Sequence, residues 1–123
     1  MWDLFTAAFG EFMMIFVTGP LFAGKEDYIK EKLGWDQETF QQKAVRDVQE
    51  LAAEAENLTE LADQLAEKEV VLATEVGAGV VPIDPKERYA REQAGRLACI
   101  LAQRADVVIR LCCGLPQFLK GEL

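Results

Sequence analysis

Unbroken apolar runs alternate with amphipathic stretches along the chain, and that alternation predicts strands separated by helices. Residues 13–17, Met-Met-Ile-Phe-Val, contain no polar member, the pattern of a strand buried on both faces of a parallel sheet. Residues 70–76 read as another apolar strand with Glu75 near its carboxyl end, and residues 107–113 supply the next strand. Between these two runs, Asp84 as N-cap, Pro85 as first helical residue and Glu87 at the third helical position start a long helix. Ala90, Ala94, Leu97, Leu101 and Ala105 give that helix its core stripe. A strand, a crossover helix and a second strand make a right-handed parallel unit. Shorter helices are expected over 25–33, closed by Gly34, over 36–42 from an Asp36 cap, and from Asn57 to about residue 68. Glu60, three residues after Asn57, completes a capping box, which also accounts for the glycosylation-like triplet Asn57-Leu58-Thr59. Residues 44–49 predict a weak strand without clean alternation. The whole reads as one α/β domain over residues 1–123, layered around a mainly parallel sheet of three or four strands.

The first twelve residues form an amino-terminal extension. Trp2, Phe5, Phe9 and Phe12 fall on one helical stripe, expected to pack on the body or on a second subunit. Met13 or Met14 is an alternative natural start. No basic region precedes the apolar stretch, and Asp3, Gly10, Glu11 and Pro20 interrupt it, so neither a signal peptide nor a membrane span is expected.

Charge and composition narrow the chemistry further. Of 21 acidic and 13 basic residues, 13 and 5 fall within residues 26–69, so the formal charge of −8 is concentrated there. That balance argues against nucleic-acid binding, which needs surplus Lys and Arg. The chain has no histidine, which removes Ser-His-Asp triads, Cys/His zinc sites and any route through a modified imidazole. Cys99, Cys112 and Cys113 form no Cys-x-x-Cys pair and read as reduced, buried thiols of a cytoplasmic protein.

The first strand flows into Gly19-Pro20-Leu21-Phe22-Ala23-Gly24-Lys25-Glu26 and then a helix. Strand, Gly-x-x-x-x-Gly-Lys and helix is the context of a phosphate-binding loop, in which backbone N–H groups cradle phosphate oxygens and the lysine reaches the outer ones. Glu26 stands where a hydroxyl would normally help hold Mg2+, and it either takes the metal differently or repels the phosphates. On this segment alone, a nucleotide site and an ordinary strand-to-helix turn are both open.

In an open parallel sheet ligands sit beyond the carboxyl ends of the strands. Here those ends carry residues 19–24, the loop from Glu75 through Gly77 and Gly79, and Gly114-Leu115-Pro116. Glu75 is placed to hold Mg2+ or its waters against the phosphates, or else is a satisfied strand-end acid. Arg88, Arg91 and Gly95 share a helical face, which suits either an anion at a close backbone approach or an ion-pair network with Glu87 and Glu92.

Residues 74–82, Thr-Glu-Val-Gly-Ala-Gly-Val-Val-Pro, then 91–96, Ala105-Asp106, and the closing Gly-Leu-Pro-Gln-Phe-Leu-Lys of 114–120 resemble the carboxyl-terminal signature of the adenosylcobinamide kinase / adenosylcobinamide-phosphate guanylyltransferase family. With the loop at 19–25, the resemblance covers about two-thirds of the chain. It implies a small P-loop NTPase-like three-layer fold and the use of ATP or GTP with Mg2+ to phosphorylate the aminopropanol hydroxyl of a cobinamide-type corrinoid. By position it implies that Gly19, Pro20, Ala23, Gly24, Lys25 and Glu26 bind the nucleotide, joined by Gly77, Gly79, Arg88 and Arg91. Lys25 and Glu75 are then the catalytic pair, Glu75 and Glu26 the metal carboxylates, and Glu50 the acid ending a second family strand.

The chain also departs from the family. The family's guanylylated histidine is missing, Thr74 and Ala98 replace asparagines, and Glu26 replaces the hydroxyl. The first reading is therefore a cobinamide kinase without guanylyl transfer, working as a homo-oligomer in the cytoplasm without nucleic acid or membrane partners. A non-catalytic nucleotide- or corrinoid-binding module is the second, and an oligomerising structural protein the third.

Overall fold

A computed structural model of the chain describes residues 13–76 and 83–123. The strands β1 (Ile15–Gly19), β2 (Ala44–Val45), β3 (Val70–Thr74), β4 (Val107–Cys112) and β5 (Leu115–Lys120) form one sheet in the order β2-β3-β1-β4-β5. The first four are parallel, and β5 returns antiparallel to β4. Helices α1 (Lys25–Leu33), α2 (Gln37–Lys43), α3 (Leu58–Leu65) and α4 (Pro85–Arg104) complete the chain, with a 3-10 turn at Val48–Leu51.

The two-sided apolar runs put side chains on both faces of the sheet. Phe16, Val71, Ala73 and Val108 pack with Leu97 and Leu101 of α4 and Ala62 and Leu65 of α3. Ile15, Val17, Leu72 and Ile109 pack on the other face with Ile29 of α1 and Phe40 of α2. This is the expected three-layer α/β arrangement. Local signals set the helix ends: Gly34 closes α1 at φ 69, Asp36 accepts from the Thr39 N–H, Asn57 accepts from Thr59 and Glu60, and Asp84 caps α4 ahead of Pro85. Among the described residues, no helix is long and apolar enough to cross a membrane.

Four details differ from expectation. The sheet has a fifth strand, because Gly114-Leu115-Pro116 is not a rim loop: Cys113 and Gly114, at φ 54 and 74, make a two-residue hairpin turn into β5. Pro116 is tolerated because β5 is an edge. The strand expected over 44–49 stops at Val45 and gives way to the 3-10 turn, which carries Glu50. All three cysteines are free, as expected, but exposed rather than buried, two at the hairpin and Cys99 on the outer side of α4. Finally, no atom lies within 4 Å of where a Cβ on Gly95 would sit, so no backbone packs closely there. The aromatic stripe of residues 1–12 lies outside the described residues.

Candidate functional site

The loop after β1 is shaped by what surrounds its two glycines. Gly19 adopts φ 154, and a Cβ there would lie 2.3 Å from the Leu111 carbonyl oxygen, so only glycine lets β1 end this close to β4. Gly24 is the left-handed N-cap of α1, at φ 84, and no side chain caps that helix end. Its amino-terminal N–H groups are thus left to an anion or to solvent. The Gly114 N–H donates to the Ala23 carbonyl at 2.9 Å, pinning the loop to the β4–β5 hairpin. Phe22, at φ 62 and 91% exposed, forms the outer tip.

Lys25 folds back over the loop, its Nζ donating to the carbonyls of Pro20 at 2.9 Å and Gly19 at 3.3 Å. Burial holds its pKa below the ordinary lysine value, opposed by the negative charges of Asp47 and Glu75. The Gly19 carbonyl also accepts the Glu75 N–H at 2.8 Å, which ties the end of β3 to the end of β1. One oxygen thereby holds the lysine and the strand-end acid together.

Both expected metal carboxylates are engaged by cations. Glu75 receives a two-point fork from Arg110 of β4, Nε to Oε2 at 2.7 Å and Nη2 to Oε1 at 2.9 Å, reaching across β1. Glu26 pairs with Arg46 at 2.9 Å and with Lys30 at 3.2 Å. Among the described residues there is no group of three or more acidic or cysteine side chains placed to hold a metal ion. This donor set does not fit a resident Mg2+; an ion arriving on a nucleotide belongs to the substrate.

Beside the loop lies an open cavity of about 320 Å³ whose walls include Gly24, Lys25, Glu26, Arg46, Asp47 and Thr74. A larger hollow of about 420 Å³, bounded by Met13, Trp35, Glu69 and Leu123, sits at the opposite, amino-terminal ends of the strands. Topology favours the smaller one, since the carboxyl ends of parallel strands are where loops and helix N-termini converge.

Of the residues singled out from the sequence, Gly19, Pro20, Ala23, Gly24, Lys25, Glu26 and Glu75 come together at this rim. Gly77 and Gly79 lie outside the described residues. Arg88, which donates to the Ile83 carbonyl at 3.1 Å, and Arg91 sit on α4 and do not line the cavity. Sequence reasoning missed Arg46, Asp47 and Arg110. Arg110 looks like a strand residue and nothing more until β4 is set beside β1.

The profile of a family described as cobinamide kinase / cobinamide phosphate guanyltransferase matches residues 15–119. A bifunctional adenosylcobalamin biosynthesis protein, CobP, of Pseudomonas aeruginosa is 37% identical over 76 residues, which is 62% of this chain. The aligned stretch spans 44% of that relative, less than half its length. The family match runs from the first residue of β1 to within one residue of the end of β5 and so takes in every strand of the sheet and the whole Gly19–Lys25 loop. The chain belongs to the cobinamide kinase / cobinamide phosphate guanyltransferase family.

Proposed function

We propose that this chain binds ATP or GTP at the Gly19–Lys25 loop and transfers the terminal phosphoryl group to the hydroxyl of a cobinamide-type corrinoid. The observation that carries this reading is the loop itself: bounded by two glycines of positive φ, overlain by Lys25, and leading into a helix N-terminus that no side chain caps. An incoming triphosphate would take the Lys25 ammonium from the two carbonyls it now satisfies. Phosphoryl transfer asks mainly for positioning and charge neutralisation, which Lys25 and the loop N–H groups can supply. Guanylyl transfer through an imidazole is not open to a chain without histidine.

The pairing of Glu26 and Glu75 with arginines supports a second reading, a module that binds nucleotide or corrinoid without turnover. The exposed β5 edge, with Leu115, Phe118 and Leu119 open to solvent, supports self-association. The test is incubation of purified protein with cobinamide, Mg2+ and ATP or GTP, followed by mass spectrometry of the corrinoid. A corrinoid heavier by one phosphoryl group supports the kinase; nucleotide binding without that product supports the module.

A further inference from the structure

Four acids stand beside the Gly19–Lys25 loop, Glu26, Asp27, Asp47 and Glu75; Asp27, exposed on α1, is not among the charges that act on Lys25, and the other three differ in what they are free to do. Glu75 is held at both oxygens by Arg110, and Glu26 by Lys30 and Arg46. Asp47, the third, makes no side-chain hydrogen bond to the 3-10 turn that it precedes, and among the described residues its carboxylate enters no ion pair. A carboxylate locked by a guanidinium has spent the lone pairs that a substrate hydroxyl would need. Asp47 has kept them.

Position and backbone set Asp47 apart as well. It follows β2 by two residues, at the carboxyl end of the sheet, and lines the same cavity as Lys25 and Thr74. Its charge acts on Lys25, so the two groups share one electrostatic site. Its backbone is left-handed, φ 56 and ψ 37, a conformation that costs a non-glycine residue free energy. A local side-chain hydrogen bond is the ordinary compensation, and here the carboxylate does not cap the turn.

We propose that Asp47 is the carboxylate on the acceptor side of the transfer, orienting the substrate hydroxyl toward the terminal phosphorus and taking its proton. The step balances without a further reagent. The hydroxyl oxygen forms a new P–O bond, the bond between the terminal phosphorus and the bridging oxygen breaks, the nucleoside diphosphate leaves with that electron pair, and the proton passes to Asp47. Because the transition state of such transfers is loose, the proton leaves late, and alignment of the O–H is the larger part of the work. This assignment rests on the kinase reading.

The test compares wild type with Asp47→Asn, which keeps the shape and is at ease in the left-handed region. Asp47→Gly, which relieves the backbone altogether, is the second variant should the first fold poorly. In both, affinity for ATP or GTP should hold or rise, since a negative charge is removed from beside Lys25, while the rate of corrinoid phosphorylation falls on the order of a hundredfold or more. Unchanged turnover, or a loss of nucleotide affinity as large as the loss of rate, overturns the role of Asp47. A wild type that binds nucleotide yet phosphorylates no corrinoid, or one that binds no nucleotide, brings down the kinase reading itself and the role of Asp47 with it.

Discussion

Replacing Gly19 with alanine tests the loop where sequence and packing meet most tightly. The added Cβ would stand 2.3 Å from the Leu111 oxygen and 3.2 Å from its carbonyl carbon, both backbone atoms, so no side-chain rotation relieves the contact. β1 and β4 would have to part at their carboxyl ends. Overpacking of this kind costs about 1–3 kcal/mol, and the unfavourable φ adds a similar amount, giving about 2–6 kcal/mol together. Domains of this size are stable by about 5–15 kcal/mol, so the midpoint of thermal unfolding should drop by roughly 10 °C or more. The Gly19 carbonyl also carries Lys25 and the Glu75 N–H, so nucleotide affinity should fall with stability. Gly34→Ala is the control, since φ is 69 there but nothing lies within 4 Å of the new Cβ, and only the backbone cost of about 1–2 kcal/mol applies. Thermal and urea unfolding of the two variants decide the matter. If Gly19→Ala proves no less stable than Gly34→Ala, the close β1–β4 approach is not what demands glycine.

Two smaller perturbations probe other contacts. Asn57→Ala removes the acceptor for the Thr59 and Glu60 N–H groups and should cost about 1 kcal/mol in urea unfolding; no change would mean that α3 starts without its cap. Arg110→Met breaks the fork on Glu75, and because that pair is partly exposed, the loss of stability should be greater at low salt than in molar salt. A salt-independent loss would point to packing instead.

Most of the fold was legible because its signals are local. Gly34, Asp36, Asn57 and the Asp84-Pro85 pair each mark a helix end within a few residues, and the apolar runs of β1, β3 and β4 declare strands buried on both faces. β5 was not legible, since an edge strand needs no apolar alternation and its turn places a cysteine, Cys113, where Asn or Asp is the usual choice. β2 is too short to carry a period. The Gly19–Lys25 loop could be located from its glycines and Lys25, because that motif is contiguous. Arg110 and Glu75 are 35 residues apart and meet only because β1 lies between β3 and β4. Asp47 reached the rim because β2 ended four residues earlier than the expected strand, a stop that no local signal announced and that left Glu50 in the 3-10 turn.

Calorimetric titration of ATP and GTP into the wild type and into Lys25→Ala addresses the proposed role of the Gly19–Lys25 loop most directly. The wild type should take up one nucleotide per chain. The variant, folded to the same melting temperature within a few degrees, should bind on the order of ten to a hundred times more weakly, the worth of one charge-assisted contact of about 1.5–3 kcal/mol. Equal affinity in the two proteins, or no binding of either nucleotide to the wild type, would contradict the assignment of this loop as a phosphate cradle.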